Sequence, residues 1–386
     1  VNRSQARVLS WLSWVILFTV GLALPTLLGR SPDFVEAAYA RGLFPWIART
    51  LGPIGRLVPF SVAQLVVAAA VVMIVFEIIR VTRSLRHARA SAQESNPETR
   101  SRPTEVVRQS AHRWLRLVTI VVWLFHLVWG LNYARPPLRE RMSLPEIAPT
   151  TERLARLTRS LAHETNHAYE QALRFDEATA DTIRGTQLQI GNETLWEALS
   201  LGFDVVDPRL KGIGFSPPKL PTPAGAALSR LGISGVYFPF TGEASVNSKM
   251  PEVSLPFVAA HEMAHQRGIA REDEANALAY LACRQAGRWV TRYSGALSAY
   301  RRSLSALWRA EPDSARAVAK LLALGPRHDQ IVIREFWQSQ KGVASDAAGK
   351  VNDTYLKANA QADGVESYGR MVDLLVVLNE LDMLQN

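Results

Sequence analysis

His261-Glu262-Met263-Ala264-His265 sets two imidazoles four residues apart, with a carboxylate beside the first. Residues at that separation share one face of a helix, so both rings can reach a single metal ion. Glu262 stands about 100° round the helix from His261, where a carboxylate can take a proton from a metal-bound water. Catalytic zinc centres use three protein ligands and keep one position open for that water. The chemistry implied is zinc-dependent hydrolysis of a peptide bond, with Zn2+ as the expected cofactor and Glu262 as the base.

The third ligand must come from the element after the helix, because Gly268 is a natural helix stop. Arg271-Glu272-Asp273-Glu274-Ala275-Asn276 follows it and offers Glu272, with Glu274 as the alternative. On one helix the two point about 200° apart, so both cannot face the metal. Glu272 with Asn276 resembles the Glu-x-x-x-Asp/Asn pattern on the third-ligand helix of gluzincin peptidases. That resemblance implies Glu272 as the ligand and Asn276 as an outer acceptor that orients a ligating histidine. The interval from His265 is shorter than in gluzincins, which keeps Glu274 open. A metzincin pattern fails at Arg271, since a guanidinium has no lone pair to give.

Zinc peptidases add a polar side chain that stabilises the oxyanion, and Tyr368 and Tyr237 are the candidates here. Tyr237 to Asn247 has the character of an edge strand on which an extended peptide could pair. A second His-Glu-x-x-His, His163-Glu164-Thr165-Asn166-His167, lacks a glycine stop and continues as a charged amphipathic helix. It is expected to be a solvated helix face. His126 lies within an apolar stretch and is expected to pack rather than ligate.

The elements that must position these residues fall into two parts. Three apolar stretches, at about 8–29, 57–79 and 114–134, each approach the roughly 20 residues that span a bilayer. Trp114, Trp123 and Trp129 are candidate interfacial anchors of the third. A cleavable signal peptide is the alternative for the first stretch, but Ala38-Tyr39-Ala40 lies far from its apolar run. The formal charge is +9, and Arg80 to Arg113 alone holds eight arginines against three glutamates. Placed between two apolar stretches, that excess is a topology signal, and no nucleic-acid partner is expected. It puts the amino terminus inside and everything after the third span outside. Tyr39 to Ile47 is amphipathic and suits the membrane surface.

After Asn132 the composition turns soluble. Thr151 to Leu173 has helical spacing in Leu154, Leu157 and Leu161. Gly235 to Phe240 reads as a short strand, and Ser254-Leu255-Pro256 as the opening of the His261 helix, with Ser254 as its cap. The remainder reads as helical, with breaks near Gly325-Pro326 and from Gly342 to Gly349. The single cysteine, Cys283, excludes an intrachain disulfide.

Several segments together resemble the DUF3810 family of bacterial membrane proteins: Tyr39 to Pro45, Trp129 to Pro137, Gly235 to Ala244, His261 to Gly268 with Ala270 to Asn276, and Asp363-Gly364 with Ser367 to Leu375. The resemblance implies a place among zincin-like peptidases with three amino-terminal spans, and implies no substrate.

The expected fold is mainly α, an α+β zincin-like extracytoplasmic domain (136–386) preceded by a membrane domain (1–135) with three transmembrane helices. The expected protein is a multi-pass component of the bacterial cytoplasmic membrane. It would act as a zinc-dependent endopeptidase on peptide or protein substrates of the envelope. The alternative is a non-catalytic zinc-binding scaffold or sensor. Intramembrane proteolysis is disfavoured, because the motif stands far from any span in the chain.

Overall fold

The computed structural model describes residues 3–58, 60–90, 103–175, 193–211, 213, 216–220, 222–359, 370–381 and 383–384. They are mainly helical, and the sheet among them is a single antiparallel pair.

Three helices are long and apolar enough to cross a membrane: Gln5–Leu28, Val62–His87 and Thr104–Val128. Helices apolar on all sides need an apolar solvent, and no more than 11% of each apolar window is buried within the protein. The second begins at Val62 rather than near 57, and the third reaches back to Thr104 rather than starting at 114. The third continues past its apolar part because its charges are paired there. Arg108 meets Glu105 at 2.7 Å, and Arg113 meets Glu77 of the second span at 2.9 Å. Trp123 donates its indole N–H to the Leu17 carbonyl at 3.0 Å, joining third span to first.

Between the first two spans, a π-helical stretch Val35–Leu43 runs into the helix Phe44–Arg56. One face buries Val35, Tyr39, Ala40, Phe44 and Ala48, while Phe34, Leu43 and Trp46 are exposed. The segment is amphipathic in the sense expected, with a protein-facing side and a bare apolar side at the ends of the spans.

The rest is a helical bundle built on Thr151–Phe175 and Trp289–Ala310, which pack along each other. Leu157 and Leu161 face Leu199, Phe203, Met263, Leu278, Tyr300 and Leu375 in one buried cluster. Each such side chain contributes on the order of 1.5–3 kcal/mol by leaving water. The expected break at Gly325-Pro326 falls inside the first turn of the helix Leu324–Ser339, where proline is tolerated. Gly349 is carried within the helix Val343–Ala358, so the later break narrows to a turn ending at Gly342.

Strands β1 (Gly235–Phe238) and β2 (Glu243–Val246) pair antiparallel, with Gly235 opposite Val246 and Phe238 opposite Glu243. On its other flank β2 is bridged by Lys219. Glu243 reaches from β2 to the start of the second span, accepting from the Val62 and Ala63 N–H groups at 3.1 and 2.5 Å. The first N–H groups of a helix have no partner within it, so a carboxylate there satisfies donors and complements the helix dipole. The sheet and the membrane helices are thereby joined directly.

Candidate metal centre

Leu255–Gln266 carries both imidazoles, and Glu272–Gln285 follows it after a short loop. Contrary to the expectation from its type, Ser254 does not cap the first helix. Ser254 is itself in a helical turn, with no side-chain capping bond. The Phe257 N–H is satisfied instead by Ser294 Oγ of a neighbouring helix, at 3.1 Å. The far end stops at Gly268 as expected, with φ +76 and the Ile269 N–H returning to the Ala264 carbonyl at 3.1 Å. A side chain at 268 would meet the Phe44 ring at 2.6 Å and Asn132 at 3.0 Å, so both conformation and space require glycine. Fully buried Ala259, Ala260, Ala264, Ala275, Ala279 and Ala282 line the two helices. Small side chains let the helices approach closely without a gap.

His261, His265 and Glu272 each present one donor atom, and the three lie within 4.8 Å of one another. The two Nε2 atoms are 3.0 Å apart. Glu272 Oε2 is 3.1 Å from His261 Nε2 and 3.7 Å from that of His265. Ligands about 2.0–2.1 Å from a tetrahedral zinc are separated by about 3.3 Å, so this spacing fits. Hydrogen bonding fits less well. Glu272 Oε2 and His261 Nδ1 are buried without a hydrogen-bond partner, although two imidazoles stand beside that oxygen. A carboxylate lone pair aimed at a common point rather than along an N–H bond leaves such an orphan, which a cation there would satisfy, whereas His261 Nδ1 is on the ring edge away from that point.

An outer contact holds one ring. His265 Nδ1 lies 2.7 Å from the Ile269 carbonyl, which places the proton on Nδ1 and leaves the Nε2 lone pair for the cluster. Asn276, expected in the orienting role, is buried with its Oδ1 3.4 Å from Arg302 and its Nδ2 unpartnered. Glu274 points elsewhere, accepting from the Leu138 N–H at 2.7 Å and from Arg141 at 2.6 Å. Arg271, at the position of a metzincin third histidine, donates to the Arg135 carbonyl at 3.0 Å.

The electrostatics divide the carboxylates. Burial opposes charge on Glu272, but His265 and His261 outweigh it and hold the carboxyl far below the usual range. Burial likewise opposes charge on His265, while Glu272 and Glu262 push it up to about 9. His261 is lowered by burial despite Glu272. Glu262 is pushed up to about 8 by burial, against the pull of His265 and with the Glu272 charge adding to it. Glu262 sits against β1. The Tyr237 N–H donates to its carboxylate, and any side chain at Gly235 would collide with it.

Tyr237 packs its ring on that of His265, with centroids 6.5 Å apart at 30°, and on Trp129 at 5.4 Å. Tyr368 lies outside the described residues. Two participants escaped sequence reasoning. Trp129 is no interfacial anchor: it is 3% exposed and donates its indole N–H to the His265 carbonyl at 2.9 Å. Tyr355, from Val343–Ala358, is near enough to Glu272 to feel its charge, and its hydroxyl is 3.3 Å from that of Tyr133. A lone tyrosine on an amphipathic helix carries no signal of such a contact. The motif, remote from the spans in the chain, is adjacent in space to the end of the third.

The second His-Glu-x-x-His has a different part to play. Glu164 is not solvated: it accepts from Tyr280 at 2.6 Å, Arg284 at 2.9 Å and Arg292 at 3.0 Å. Its neighbours His163 and His167 are exposed. Among the described residues, His261, His265 and Glu272 form the one such convergence.

These features define a helical protein of membrane type, with three apolar helices and a candidate metal centre at their end. The chain belongs to the family described as "Protein of unknown function (DUF3810)", which matches residues 39–376. Curated proteins and solved structures offer no match to it. The matched stretch takes in the second and third apolar helices, both strands and the two helices that carry His261, His265 and Glu272.

Proposed function

We propose that this protein is a membrane-anchored zinc-dependent endopeptidase of zincin-like fold, acting on peptide segments of envelope proteins beside the membrane. The observation that carries the reading is the convergence of His261, His265 and Glu272 with a buried carboxylate oxygen left unpartnered. Zinc held by these residues would polarise the scissile carbonyl and acidify the attacking water. Glu262 would take that water's proton and deliver it to the leaving amine, once the charge of a bound cation had returned its raised carboxyl to the ionised form. The Tyr237 N–H keeps the carboxylate aimed, and Gly235 leaves room for it. A peptide laid along β1 would pass over Glu262, in the manner of strand addition.

A zinc-binding scaffold would need a closed site, so a fourth protein ligand on the metal would favour that reading over catalysis. The arginine bias of the spans supports an extracytoplasmic site. Placement next to Trp129, one residue past the third span, favours substrates near the bilayer surface.

The test uses full-length protein in detergent with a fluorogenic peptide library. Wild type should carry about one zinc per chain and cleave. His261→Ala should lose the zinc, and Glu262→Gln should keep it while losing at least about a hundredfold in turnover. Unchanged cleavage by Glu262→Gln would remove the proposed base, and a zinc-free wild type would remove the centre.

A further inference from the structure

A cavity of about 250 Å³ lies beside the metal loop and is lined by Arg41, Arg49, Arg135, Arg209, Lys211 and Arg267. Two carboxylates share the lining, and both are already engaged. Glu36 meets Arg135 at 2.7 Å and Arg41 at 2.9 Å, and Asp207 meets Arg209 at 2.7 Å. Even with Asp204 close behind Arg267, the wall keeps a positive excess. Arg267 is 2% exposed, stacked over Phe203 at 4.5 Å, and its Nε has no hydrogen-bond partner. Arg135 and Arg267 are the buried cations of this wall, and burying like charge is costly unless an anion joins it.

The surroundings indicate where the anion comes from. Trp46 stands in the cavity wall and is 68% exposed. Phe34, Leu43, Leu57 and Phe60 are exposed around the same ends of the first two spans. Apolar side chains and a tryptophan beside cationic groups mark the headgroup level of a bilayer. We infer that this cavity binds the phosphodiester headgroup of an anionic phospholipid, taken from the leaflet beside the metal centre. Arginine forks suit phosphate oxygens, and Arg41 and Arg49 stand at the exposed rim where a headgroup would enter. The cavity also touches the metal loop, since Arg135 donates to the Gly268 carbonyl at 2.8 Å and Arg267 follows His265 by two residues.

Native mass spectrometry of the full chain in detergent tests this, with phosphatidylglycerol and phosphatidylcholine as probes. Phosphatidylglycerol should bind about tenfold more tightly, as expected for a charge-assisted contact. The Arg49→Gln, Lys211→Gln double variant, at two exposed positions, should reduce that preference to near unity with zinc content unchanged. Arg334→Gln with Lys350→Gln, exposed and outside the cavity, should leave the preference intact. Equal binding of the two lipids, or a loss in the outside pair as large as in the cavity pair, would overturn the inference. Inorganic phosphate displacing phosphatidylglycerol at equal concentration would assign the cavity to a soluble anion and overturn the lipid.

Discussion

Two buried carboxylates beside the same imidazoles are driven in opposite directions. Glu272 is held ionised by His261 and His265, and Glu262 is pushed up to about 8. On the proposed reading, Glu272 would serve the cation and Glu262 the proton. His265, raised from 6.5 to about 9, must lose its proton to ligate. Zinc affinity should therefore rise by about tenfold per pH unit below that value, measurable by competition with a chromophoric chelator; a flat profile would contradict the ion pair. Stability of the metal-free protein should run the other way. The His265 contribution is complete below 6.5 and lost as pH climbs through about 9. Glu262 keeps in the native state a proton the unfolded chain gives up above 4.5, so it too subtracts stability as pH rises to about 8. Glu272→Gln should lose zinc with the fold retained. Glu274→Gln should keep the zinc ligands and weaken a buried ion pair with Arg141, costing about 3–5 kcal/mol in thermal or denaturant unfolding.

At the scale of elements, the loop from Gly268 to Arg271 sets how the His261 helix meets Glu272. It is pinned from outside by Phe44 against Gly268, Arg135 on the Gly268 carbonyl and Trp129 on the His265 carbonyl. Gly268→Ala would place a side chain at φ +76 and into the Phe44 ring. A loss of about 1–3 kcal/mol is expected, with weaker zinc retention, read by unfolding and metal content together. Normal stability with lost zinc would show that the loop matters for aim alone. The His261 helix also borrows its opening from elsewhere: the Ser294 hydroxyl, not the adjacent Ser254, meets its first free N–H.

For the whole molecule, the three apolar helices and the helical bundle share one structure. Glu243 closes the start of the second span, Tyr39 reaches the Leu127 carbonyl at 3.0 Å, and the residues after the third span lie under the metal loop. A fragment beginning at residue 136 would lose Trp129, Arg135 and Phe44 from beneath the centre. It should fold poorly and hold less than about a tenth of the zinc of the full chain, by metal analysis after gel filtration. Full zinc occupancy in that fragment would show that the bundle organises the centre alone.

Local sequence determined the apolar helices, the helix bearing His261 and His265, and its stop at Gly268. Those depend on spacing within a few residues and on one backbone conformation that glycine adopts freely. The boundaries of the spans were less legible, because Arg113 extends the third helix through Glu77, a partner distant in the chain. Which glutamate faces the imidazoles, where Trp129 goes, and that Tyr355 stands near Glu272 were decided by tertiary packing. Glu274 is drawn away by Leu138 and Arg141, and Trp129 and Tyr355 meet partners distant in the chain, as Trp129 meets His265 and Tyr133 meets Tyr355. Local sequence carries no record of such distances, because the burial that enforces them exists only once the chain has closed on itself.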